Sequence, residues 1–178
     1  MQHGNTDISE RSGEERTATA YHEAGHVVMG CVLGRIPQFV TIIPDGARAV
    51  GKAQYDGDIP PYARRYLDES QPKKRYTEMR VLTELAGSVA LDFKEPGRTH
   101  DPSDTHDAHI AKQLVEELVS WGDHTLYLAE ARQKTATLLQ QHWRKVEAVA
   151  QALLQRDTLS RDDILKLSPP STEWRQAP

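Results

Sequence analysis

The side chains best suited to chemistry stand together near the start of the chain: His22, Glu23 and His26, in the stretch Tyr-His-Glu-Ala-Gly-His. Their spacing is HExxH. On a helix, residues four apart lie on one face, one turn above each other, so two imidazoles can reach a single cation. Zinc takes such nitrogens at about 2.0–2.1 Å. Glu23, beside the first histidine, is then placed to take a proton from water at the metal instead of binding the metal itself. The chemistry would be metal-assisted hydrolysis. The plainer alternative is a surface helix whose two histidines make ordinary hydrogen bonds.

Two histidines leave tetrahedral zinc short of a third protein ligand. The extended pattern HExxHxxGxxH fails, because Met29 and Val32 occupy its Gly and His positions. The obvious donor is the run Arg98 to His109, which holds three of the chain's eight histidines. By residue type the candidates are His100, Asp101, Asp104, His106, Asp107 and His109, and spacing does not choose among them. Ser103, Asp104 and Thr105 also suit the start of a helix, and Asp104 fits a cap better than a ligand.

The elements that must position these groups follow from periodicity. Ser12-Gly-Glu-Glu15 is a capping-box pattern, and Ala18, Tyr21, Ala24, Gly25, Val28 and Val32 form an apolar stripe at helical spacing. A helix is expected from about 13 to 33, stopping at Gly34 with Pro37 beyond. Phe39 to Ile43 reads as a strand, Asp45-Gly46 as a turn, and Ala49 to Tyr55 as a returning strand. Asp56 to Gln71 reads as an exposed loop. Helical spacing resumes from Pro72 to Phe93, where Gly87 costs about 1 kcal/mol relative to alanine and so suggests close helix packing. A helix through Ile110, Leu114, Val115 and Leu118 should stop at Trp121-Gly122. One long helix is expected from Leu126 to Arg156, and Ser160 to Asp163 caps a last short one through Leu167. The fold class is mainly α, with about five helices and one small hairpin or sheet. Residues 1–11 are expected to be disordered, 12–168 to form one domain, and 169–178 a polar tail.

Composition narrows the function classes. A net charge of −4 and a pI near 6.1 argue against a nucleic-acid partner. The one cysteine, Cys31, excludes an internal disulfide and fits a reducing compartment, so a cytoplasmic location is expected. Its apolar neighbours suggest a buried, inert thiol. No run of about 18 apolar residues is present to span a membrane.

Beyond these local readings, the chain resembles the peptidase domain of FtsH-type ATP-dependent zinc metalloproteases. The resemblance runs from about Thr17 to Leu167. It is carried by Thr-Ala-Tyr-His-Glu-Ala-Gly-His (19–26), Val-Thr-Ile-Ile-Pro (40–44), Leu-Ala-Gly (85–87), Trp-Gly (121–122), Ala-Gln-Ala-Leu-Leu (150–154) and Asp-Thr-Leu (157–159), in family order. It implies a zincin-like domain, Zn2+ as cofactor and a polypeptide substrate. It also implies that the third ligand is the aspartate before the helix ending in Trp-Gly, which by Asp-x-x-x-Ala spacing is Asp107. Glu23 would be the general base, and the strand Val50, Gly51, Lys52, Ala53, Gln54 and Tyr55 could align substrate by strand addition.

Two departures accompany the resemblance. The family's pair of glutamates after Leu-Ala-Gly is replaced by Leu91 and Asp92, so Asp92 is either the candidate outer carboxylate that would steady a ligand or a solvent-facing residue near a helix end. The chain also contains no GxxxxGK[ST] phosphate loop. An ATPase or adaptor feeding the site is therefore expected on a separate polypeptide, or the chain is part of a larger protease. The expected function is zinc-dependent endopeptidase. The alternative is a catalytically silent metal-binding or regulatory module on the same fold.

Overall fold

The computed structural model describes residues 13–44, 51–55, 72–97, 105–119 and 122–170. The expectations for residues 1–11, the Ser12 cap, the Asp45-Gly46 turn, the loop 56–71, residues 98–104, Trp121 and the tail beyond 170 lie outside the described residues.

Helix α1, Gly13–Val32, is the element on which the others are arranged. Glu14 and Glu15 in its first turn suit the positive end of the helix dipole. Gly34, at φ 81°, supplies the left-handed turn that ends it. One side of α1 packs on α2, Pro72–Lys94, and another on α5, Trp143–Arg156. Helix α3, His106–Leu118, and helix α4, His124–Gln141, pack against α2. The core between them is built from Val27, Val28 and Met29 of α1, Val81 and Val89 of α2, Val115, Leu139, Val146 and Leu153, all fully buried. Cys31 is buried among them, and burial pushes its thiol up to about 11, so it is protonated and inert at neutral pH.

The α1–α2 contact is close because Gly25 lacks a side chain. A Cβ there would stand 2.4 Å from the Ala86 carbonyl oxygen and 2.8 Å from Ala90 Cβ. Gly25→Ala is therefore expected to destabilise the fold by about 1–3 kcal/mol, despite alanine's better helix propensity, because backbone atoms must move apart. Denaturant unfolding monitored by circular dichroism measures it.

The fold is mainly α, as expected, with two refinements. The stretch expected as one helix from 126 to 156 is two, α4 and α5, broken at His142 (φ −112°, ψ 17°). No glycine or proline marks the break. It turns Trp143 onto the rings of Tyr21 and Phe93, 5.9 and 5.6 Å away between centroids, so tertiary packing bends a continuous apolar stripe. Six helices are thus present among the described residues. The sheet, expected as a hairpin or small sheet of two strands, has three in the order β2-β1-β3: β1 is Phe39–Thr41, β2 is Lys52–Gln54 and β3 is Thr158–Ser160. Both pairings are antiparallel, Val40 lying opposite Ala53 on one side and Leu159 on the other. Ser160 caps the last helix, α6 (Arg161–Leu167), in a capping box with Asp163.

Candidate metal centre

Helix α1 carries His22 and His26 one turn apart, and the first turn of α3 brings Asp107 across to them. Asp107 Oδ2 is 2.9 Å from His22 Nε2 and 3.1 Å from His26 Nε2, and the two Nε2 atoms are 3.0 Å apart. These three residues are the group among the described residues able to share a metal ion. Thr105 starts α3 by accepting the Ala108 N–H, which fixes where Asp107 projects. His106 and His109, on the same helix, are exposed, while His100, Asp101 and Asp104 lie outside the described residues.

The donor chemistry fits zinc. Three ligands at zinc's bond length and tetrahedral angles lie about 3.3 Å apart, close to the separations found here. The tautomer fits as well. The Thr83 carbonyl is 2.7 Å from His26 Nδ1 and can only accept, so Nδ1 carries a proton and Nε2 is left facing Asp107. Gly87 leaves the space the rings need. A Cβ at 87 would stand 2.5 Å from His22 Cε1 and 2.6 Å from each histidine's Nε2. The gap at Gly87 thus serves the imidazoles, and the close helix packing expected of it belongs to Gly25.

Glu23 is 5% exposed, on the neighbouring face of α1. Burial raises its carboxyl above the usual value, with His26 and His22 opposing and Asp107 adding to the rise. Gly51, at the start of β2, lies against it: a Cβ there would be 2.7 Å from Glu23 Oε1. Strand β2 is therefore both an edge of the sheet and a neighbour of the carboxylate. Of the candidate substrate strand, Lys52, Ala53 and Gln54 form β2, Gly51 and Tyr55 flank it, and Val50 lies outside the described residues.

In the metal-free chain the triad is an ion pair. Burial opposes a charged His26, but the hydrogen bond and charge of Asp107, with Glu23 and Glu84, raise it to about 9. Burial likewise opposes a charged Asp107, yet the hydrogen bonds from His22 and His26 hold it far below the carboxylate range. The raised His26 contributes stability below its unfolded value near 6.5 and loses it as pH rises through about 9. The depressed Asp107 contributes above about 3.9 and loses it in strong acid. Chelator-treated protein is expected to resist urea better at pH 5.5 than at pH 9.5; equal midpoints would count against the pair.

Asp92 is not brought to this centre. Its carboxylate is 45% exposed and pairs with Arg132 of α4, which also donates to Ser88. Besides Glu23, a half-buried carboxylate near the histidines is Glu84, on α2 beside Thr83. Burial raises it above the usual value while His26 opposes. The sequence signal for Glu84 was an acidic residue inside an apolar helical stripe.

No protein-family model matches the chain. Among curated proteins, it is 27% identical over 86% of its length to the mitochondrial ATP-dependent zinc metalloprotease FTSH 3 of Arabidopsis thaliana. It is 28% identical over 88% to ATP-dependent zinc metalloprotease FtsH 2 of Methylacidiphilum infernorum, and 30% over 90% to FtsH 1 of Rhodopirellula baltica. The chain spans 22 to 29% of the length of these three relatives. No helix among the described residues is long and apolar enough to cross a membrane.

Proposed function

We propose that the chain is an FtsH-like zinc metallopeptidase unit, in which His22, His26 and Asp107 hold Zn2+ and Glu23 serves as general base. The observation that carries this reading is the convergence of the three donor atoms within 3.1 Å of one another, beside a buried glutamate. Bound zinc would polarise the peptide carbonyl and make water more acidic. Glu23 would accept the proton of the attacking water and pass it to the departing amine. Thr83 would fix the ring of His26 through Nδ1. A substrate strand added to the edge of β2 that is unpaired among the described residues would run past Gly51 and bring its backbone beside Glu23. An ATPase or adaptor, on another polypeptide or elsewhere in a larger protease, is part of the proposal as the source of unfolded substrate, and so is a cytoplasmic setting, although several relatives are named mitochondrial.

Metal analysis with an unfolded-casein cleavage assay tests the reading. One equivalent of zinc, and cleavage lost on chelation and restored by zinc, are expected. The engagement of Asp92 by Arg132 favours one second reading, a silent metal-binding module without its outer carboxylate. Tight zinc with no turnover on any substrate would establish it.

A further inference from the structure

Arg35 stands just beyond the turn that closes α1. It is 6% exposed, and its Nη1 has no hydrogen-bond partner. Its guanidinium carbon lies 4.6 Å from the ring centre of Tyr55 and 5.4 Å from that of Tyr76. Among the described residues no ion pair holds it. Two aromatic faces steady a cation, but they do not answer an N–H, and a buried guanidinium without an acceptor is costly. The arrangement is that of a binding group whose partner arrives from outside.

Its surroundings connect it to the metal centre. Tyr55, which directly follows β2, donates its hydroxyl to the His26 carbonyl at 2.6 Å, so one side chain touches both the HExxH helix and Arg35. Burial keeps that phenol neutral and hence a donor, though Arg35 opposes the shift. On α2, Tyr76, Arg80 and Glu84 recur every four residues and share one face. Glu84 interacts electrostatically with His26 and Asp107 and also with Arg35 and Arg80. The cation is thus linked through Tyr55 to the helix that carries the histidines, on the side where the edge strand ends.

We propose that Arg35 is the specificity residue of the site, its guanidinium taking a carboxylate of the peptide substrate near the end of the edge strand. The proposal rests on the hydrolytic reading above. A carboxylate matches the planar donor fork and neutralises the buried charge, which a peptide carbonyl would not. The carboxylate can be an acidic side chain or a free chain end, and the chemistry at Arg35 is the same.

The test uses the zinc-loaded chain and matched peptides. One series exchanges Glu for Gln at each position around the cleaved bond; another compares free and amidated carboxyl ends. Binding of the same peptides to the Glu23→Gln variant is measured by calorimetry. Carboxylate-bearing peptides are expected to be favoured about 10- to 100-fold in kcat/KM and in affinity. The series that shows the preference identifies the source. Arg35→Gln should bring the ratio near one while neutral peptides are still cut. Equal handling of acid and neutral peptides by the unmutated chain, or a preference that survives Arg35→Gln, overturns the proposal. Should Arg35→Gln not fold, Arg35→Lys replaces it: losing the planar fork should weaken the preference, and an unchanged preference overturns the proposal. If no peptide is cut at all, the hydrolytic reading has failed, and the calorimetric preference still decides the role of Arg35.

Discussion

Glu23→Gln is expected to leave one zinc ion bound per chain while peptide hydrolysis falls by about 100- to 10,000-fold, the usual worth of a positioned general base. The amide keeps the shape of the carboxylate but cannot take a proton. None of the three metal donor atoms comes from Glu23, so the loss should appear in kcat with metal content unchanged. A second readout separates this role from a structural one. Burial makes the charged carboxylate unfavourable in the folded chain, so the neutral replacement should hold or raise the unfolding midpoint at neutral pH. A variant retaining more than about a tenth of the activity would remove Glu23 from the chemistry.

Gly87→Ala is expected to cost the chain its metal, with affinity reduced by at least about 100-fold and activity lost with it. The new methyl would occupy the place of the facing imidazole edges, 2.5–2.6 Å from their atoms, and both rings would have to swing away from Asp107. Ligand atoms must be held within about 0.5 Å of their working positions, so a displacement of that kind undoes the site. The helix itself should benefit, since alanine is favoured over glycine by about 1 kcal/mol in a helix interior. A folded, helical protein that no longer retains zinc on dialysis is the expected outcome. Full retention would mean that the rings relax elsewhere without losing their geometry.

The part of the site readable in the sequence was the part written in local spacing. His22, Glu23 and His26 follow from one helix and its period, and that helix was announced by its stripe and by Gly34. Asp107 needed the resemblance, because its approach to α1 is a tertiary event that no spacing encodes. The Thr83 carbonyl that orients His26 has no side-chain signature at all. Asp92 was left between two readings for a related reason: a carboxylate in a motif is drawn to whichever cation the fold provides, here Arg132 at the surface. The bend at His142 and strand β3 were missed because each is imposed by a distant partner. Thr158–Ser160 is only three residues long, too short to show an alternation of its own.

Strand β3 has a consequence for the order in which the molecule can come together. It joins β1 across 117 residues of chain, through Thr158 and Thr41. The metal-binding side chains are all synthesised before it, so a nascent chain could hold its ion while β1 still lacks one neighbour. Long-range strand pairing is slow, because loop closure comes before any gain from contact. The β1–β3 pairing therefore forms late, after the helices have docked, whereas the β1–β2 pairing beside Glu23 closes over a much shorter stretch of chain. The sheet would then be completed in two stages, the β1–β2 pair first and the strand that anchors it to the last helices second.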